Sequence, residues 1–287
     1  FDVKLQGGNV SPTVQDIENI FLQGLTGASL FNAVNTSGIE QLWSDRSTND
    51  TAYTNVQEIA TVGVRGVEDA GHSSQFQFAD SVVTSAGSLD IVLDNAELTG
   101  GLQVGGGTGG VTFGTLNITA LAGRGDGISE LSDILDARGN DALGSTINVD
   151  GDGSLAVTND VEGVTTIDAS ANTGGVFFDI DPTVDVTFTG GTGDDGVDVA
   201  ATGLDSDDTL DGGGGTDNVI VGSGSMMTQR NFSNVSNFET LETTNMAGGP
   251  TGTYDIDNII DQNSLTGVTV AGSADTIVNN INDGALD

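Results

Sequence analysis

The chain contains no cysteine and, among 287 residues, only six lysines and arginines, three prolines, one histidine and one tryptophan. Without cysteine neither disulfides nor thiolates can hold the fold, so an extracellular setting calls for another staple, such as a metal. The six basic residues (Lys4, Arg46, Arg65, Arg124, Arg138 and Arg230) are scattered in sequence. Nucleic acid and anionic membranes need them clustered, and both are set aside as partners. No apolar run reaches the roughly 18 residues that span a bilayer as a helix. The shortage of His, Tyr and basic side chains removes the usual bases and electrophiles, and no nucleophile elbow, His-Glu-x-x-His or Walker sequence occurs. The chain therefore reads as non-catalytic. Its single His72, in DAGHSSQ, fits an exposed loop, and its single Trp43 a core or interface anchor.

What the chain has in excess is negative charge. Asp and Glu number 42, for a formal net charge of -36, and that much self-repulsion opposes a compact state unless counter-ions neutralise it. Cations are the first partners the composition demands. Val, Leu, Ile and Phe together number 76, which is above the range of disordered chains. Val plus Ile outnumber Leu by 45 to 20, a balance that favours strands. The chain opens on Phe1, as a piece of a longer or processed protein does.

Short apolar runs ended by Gly, Asn or Asp recur along the chain, among them SLDIVLDN (88–95), GTLNITAL (114–121), STINVDG (145–151), VDVTFTG (184–190) and DNVIVGS (217–223). Such spacing predicts an all-β architecture. Four segments, 13–22, 55–64, 160–169 and 234–243, share a Val, an apolar residue three positions on and then polar-apolar alternation. Recurrence of one unit favours stacked coils of a right-handed, mostly parallel β-solenoid or β-roll. The segment 13–22 suits a strand or a helix equally. Ile128, Leu131, Ile134 and Leu135, ahead of Gly139, follow helical spacing and predict a short helical insertion near 128–138. The expected organisation is a first solenoid part over 1–125, the insertion over 126–144 and a second solenoid part over 145–287.

Two segments match the nonapeptide G-G-x-G-x-D-x-U-x at every specified position: GGTGDDGVD (190–198) and GGGGTDNVI (212–220). Between them GLDSDDTLD (203–211) keeps Gly203, Asp208 and Leu210. Glycine permits the tight turn and frees its carbonyls to face a cation, while Asp supplies a hard anionic oxygen. Gly191, Gly193 and Asp195 should thus share one edge with Gly213, Gly215 and Asp217, with Asp208 opposite, and several calcium ions are the expected cofactor. A second candidate is NVDGDG (148–153), where Asn148, Asp150 and Asp152 stand either in a cation loop or in a plain β-turn. Asp179, Asp181 and Asp185 lie about one coil before Asp208 and could complete a site with it. Gly123–Gly127 spells Arg-Gly-Asp, a match short enough to arise by chance, and Asp126 equally suits capping of the expected helix.

The strict repeats at 190–220 resemble those of the RTX family of calcium-binding secreted proteins. The longer string VDVTFTGGTGDDGVDVAATGLDSDDTLDGGGGTDNVIV, with the Val-x-x-apolar units around it, resembles the β-solenoid region of bacterial surface-layer proteins of the Caulobacter kind. The resemblance implies type I secretion, an extracellular location on the bacterial surface, several bound calcium ions, and self-assembly into a lattice. The repeats here are few, where toxins and proteases of the RTX family carry long arrays. Expected partners are further copies of the chain, calcium and cell-surface polysaccharide. The alternatives are a secreted adhesin or filament subunit and, less favoured, a polysaccharide-modifying β-helix enzyme.

Overall fold

In a computed structural model of the chain, the described residues are 1–68, 71–85, 87–107, 111–136, 144–181, 183–199, 204–222, 231–244, 253–255, 263, 265–271 and 277–279. Among them there is no helix: 28 short strands alternate with turns, and every strand pairing is parallel. Strands pair with strands one pass of the chain away, so the sheets grow along the direction of stacking, an arrangement consistent with a β-solenoid or β-roll.

Two columns of strands run through the second half. Thr115–Leu121, Thr146–Gly151, Thr166–Asn172, Thr187–Thr189 and Thr209–Asp211 pair in succession. Beside them Ser154–Asp160, Val176–Asp179, Gly196–Asp198, Asn218–Val221 and Thr240–Thr244 do the same. The first half carries a further six-stranded sheet, from Gly8–Val10 to Ile134–Asp136.

Alternation of apolar and polar residues sends one set inward and the other outward, because successive side chains of a strand face opposite ways. In register, Leu116, Ile147, Ile167, Phe188 and Leu210 stack down the inside of the first column. Val157, Phe178, Val197, Val219 and Leu241 stack inside the second. The apolar eighth residues of the glycine–aspartate units, Val197, Leu210 and Val219, are all fully buried, each contributing about 1.5–3 kcal/mol of transfer free energy. In the first half the inside is aromatic: Tyr53 stacks between Phe31 and Phe76 at 5.5 Å from each. Its hydroxyl donates to the Trp43 carbonyl at 2.9 Å, with the Ile20 carbonyl also within reach at 3.1 Å.

The helical insertion expected near 128–138 is not formed. Ile128–Leu131 and Ile134–Asp136 are strands, separated by a bend at Ser132, and residues 137–143 lie outside the described ones. The two strands join different sheets: the first pairs with Ser154–Asp160, the second with Leu102–Gly106. Leu131 and Ile134 are both buried, but they face inward from two separate strands, and Ile128 is 42% exposed. Two strands broken by a two-residue bend thus reproduced a helical spacing. Asp126 caps the first of them, accepting the Ile128 N–H at 3.1 Å. The segment 13–22 is also strand, as Val14–Gln15 and the start of Asn19–Gly24.

Trp43 is an anchor on the outer sheet face, lying flat over Gly63, where a Cβ would stand 2.3 Å from its ring. The Arg65 guanidinium sits 4.6 Å from the Phe21 ring and 5.4 Å from that of Trp43. Three of the basic residues scattered in sequence therefore meet on this side, Arg46 and Arg65 on Asp45 and Arg124 on Asp94.

Candidate metal centre

The glycine–aspartate turns 190–195 and 212–217 each connect a first-column strand to a second-column strand, so they lie on one edge, one pass apart. The turn holding Asp208 runs the other way, from Gly196–Asp198 to Thr209–Asp211, and lies on the opposite edge. Close backbone stacking explains the glycines. A Cβ at Gly191 would stand 2.0 Å from the Asn172 carbonyl, one at Gly193 2.2 Å from the Gly175 nitrogen, and one at Gly215 2.1 Å from the Gly193 carbonyl. Gly213 adds a φ of +87°, which side chains other than that of glycine strain to adopt.

The aspartates tie successive passes together. The N–H of Val176 donates to Asp195 Oδ1 at 2.7 Å, that of Asp195 to Asp217 Oδ1 at 2.7 Å, and that of Asp217 to Glu239 Oε2 at 2.9 Å. On the opposite edge the Val186 N–H donates to Asp208 Oδ1 at 2.9 Å in the same manner. Asp195 and Asp208 also fill their second oxygen, from the N–H of Gly191 and of Asp205, each at 2.7 Å. Asp217 does not. The equivalent donor, Gly213 N–H, turns instead to Asp211 Oδ1 at 3.1 Å, and Asp217 Oδ2 is buried with no hydrogen-bond partner. It faces Gly212, where a Cβ would stand 3.0 Å from that oxygen and 2.1 Å from the carbonyl oxygen of Asn237.

Charge is concentrated in this column without a basic residue among these contacts. Burial, aided by the carboxylates of Asp195, Glu239 and Asp194, pushes the Asp217 carboxyl up to about 7. Asp195 and Asp208 are raised by burial as well. A group in this position is neutralised by a proton or by a cation. The oxygens present are of the kind a hard cation such as calcium takes: one unpartnered carboxylate oxygen, with the backbone carbonyl of Asn237 on the same side of Gly212. Among the described residues no three carboxylate or histidine side chains converge on one point, so a cation here would draw on backbone carbonyls too.

The other candidates are placed differently. Asn148 and Asp150 lie on a strand, Thr146–Gly151, and point outward, alternating with the buried Ile147 and Val149. Asp152, in the turn that follows, accepts the Ala122 N–H at 3.0 Å. That turn nevertheless sits on the same edge as the two strict repeats: a Cβ on Gly174 would meet the Gly153 carbonyl, and one on Gly191 the Asn172 carbonyl. Asp181 spends its oxygens on the N–H groups of Gly163 and Thr183. Asp179 belongs to an outward row with Asp160 and Asp198, and burial followed by these neighbours raises it to about 6.

Two members of the edge escaped the motif. Glu239 occupies the aspartate position one pass beyond Asp217, within NVSNFETL, and its longer side chain hides the correspondence. Asn172 fills the equivalent turn before Gly190: its side-chain carbonyl caps the N–H groups of Gly174 and Gly175, and its amide donates to the Gly153 carbonyl. Asn172 thus also joins its pass to the one before, by donating to a carbonyl where the aspartates accept an N–H, and it carries no charge. No protein-family model, curated protein or solved structure matches this chain.

Proposed function

We propose that the chain is a right-handed β-solenoid of the RTX kind, stapled by calcium, that serves as a non-catalytic structural element of an extracellular bacterial surface layer. The observation that carries this reading is the carboxylate column Asp195–Asp217–Glu239, buried at Asp195 and Asp217, with its unpartnered Asp217 oxygen and no basic residue to balance it. Asp217, with carbonyls of the glycine turns, would hold the cation. The cation supplies positive charge where the fold buries negative charge, and Asp195 and Glu239 keep the neighbouring passes in register. Low cytosolic calcium would leave the column repelling itself until the chain is exported by type I secretion.

The parallel columns support the assembly half of the reading, since a rod built of repeated passes offers long regular sides to further copies. Electron microscopy of the purified chain in calcium tests it. Ordered two-dimensional sheets are the expected result. Isolated rods or fibres would favour a secreted adhesin or filament subunit and overturn the lattice.

A further inference from the structure

The outer face of the first strand column carries a groove of about 560 Å³ that plays no part in the cation column. Its floor is built by register. Asp90, Asn117, Asn148 and Asp168 stand side by side on four successive strands, with Thr119 and Asp150 in the next row. Asn148 donates to the Asn117 side chain at 2.9 Å and Asn117 to Asp90 at 2.8 Å. The row is thus pre-ordered, a line of carboxamide donors and acceptors repeating at the parallel-strand spacing of about 4.8 Å. Each carboxamide retains a further N–H and lone pair for a ligand.

Two properties select that ligand. The groove runs along the stacking axis for about 14 Å, three strand spacings, which suits an extended chain rather than a compact molecule. Its charged groups are all carboxylates, and neither Lys nor Arg is among the residues that line it. Anionic polymers are therefore repelled, and ammonium groups attracted. No aromatic ring lines it, so recognition falls to hydrogen bonds with hydroxyls rather than to ring stacking. We infer that this groove binds an extended amino-bearing glycan, its hydroxyls on the Asn117–Asn148 row and its ammonium groups on Asp90, Asp150 and Asp168.

Isothermal titration calorimetry of the whole chain at mildly acidic pH tests this, with glucosamine oligomers, their N-acetylated counterparts and galacturonate oligomers as probes. The glucosamine oligomer should bind, and each of the other two should bind at least about tenfold more weakly. The variant Asp90→Asn/Asp168→Asn, which keeps one acceptor oxygen at each position for Asn117 and the Ser170 N–H, should weaken glucosamine-oligomer binding about tenfold or more with an unchanged thermal midpoint. The control Glu97→Gln/Glu130→Gln removes two carboxylates in register on another column of strands and should leave affinity within about twofold. No glucosamine-oligomer binding, equal affinity for either other probe, or equal loss in the control variant would overturn the site. None of these outcomes depends on whether calcium occupies the turns.

Discussion

The backbone N–H of Asp195 donates to the carboxylate of Asp217 at 2.7 Å, across 22 residues of sequence. One bond thus joins equivalent positions of the two strict repeats and gives the aspartate of the motif a mechanical task besides any cation it holds. The acceptor is fully buried, so the bond is made where water cannot compete.

Replacing Asp217 separates its two tasks. Asp217→Ala orphans the buried Asp195 N–H and should cost about 1–3 kcal/mol with or without calcium. Asp217→Asn keeps an acceptor for that N–H while removing the charge, so it should destabilise the metal-free protein less than Ala does. It should also weaken calcium binding. Denaturant melts of the three proteins, in calcium and in EDTA, read both effects.

Stability without metal should depend on pH in a definite direction. The folded Asp217 carboxyl titrates at about 7, against about 3.9 in an unfolded chain. Between those values the folded state holds a proton that the unfolded state has lost, so stability falls as pH rises from about 4 to about 7 and levels off above. Asp179, raised to about 6, adds to the same slope. Asp45 acts the opposite way and elsewhere. Burial would raise it, but hydrogen bonds from Arg65 and Arg46 prevail and hold it at about 2, so its contribution is lost only as pH falls below about 4. Thermal midpoints of the metal-free protein across this range should decline toward neutral pH, and the decline should shrink in Asp217→Asn.

Neighbouring glycines of one repeat should respond in opposite ways to alanine. At Gly213 the φ is +87° and a Cβ would stand 2.5 Å from the Gly191 carbonyl, whereas at Gly214 nothing lies within 4 Å. Gly213→Ala should cost about 2 kcal/mol or more. Gly214→Ala should be neutral or stabilise by up to about 1 kcal/mol, because alanine restricts the unfolded chain. Chemical denaturation of the pair distinguishes them.

Tyr53→Phe should cost about 1–2 kcal/mol. It deletes the hydroxyl donor that the Trp43 and Ile20 carbonyls share but leaves the ring contacts with Phe31 and Phe76 in place. Equilibrium unfolding measures it.

Much of this was legible in the residues themselves. Alternation in GTLNITAL and STINVDG, ended by Gly and Asp, marked strands that the fold contains, and the interval between the two strict repeats placed Asp195 and Asp217 on one edge with Asp208 opposite. What could not be read was position around the pass. Ile128, Leu131, Ile134 and Leu135 mimic a helix because a bend at Ser132 resets the strand alternation. The four Val-x-x-apolar segments mark corners rather than one place in the fold. Those at 13–22, 55–64 and 160–169 lead into first-column strands or their continuation, and that at 234–243 leads into the second column. Nor does sequence distance show that Arg46 and Arg65 share Asp45, or that Glu239 continues the aspartate column, since register across passes of unequal length decides both.

The most direct measurement is the thermal midpoint of the purified chain with calcium and after its removal by EDTA, followed by circular dichroism. Each site that calcium saturates a hundredfold above its dissociation constant adds about 2.7 kcal/mol to the folded state, so removal should lower the midpoint by about 10 °C or more and loosen the β signal. An unchanged midpoint and spectrum would mean that protons and backbone N–H groups alone neutralise the Asp195–Asp217–Glu239 column, and that calcium is no part of this protein.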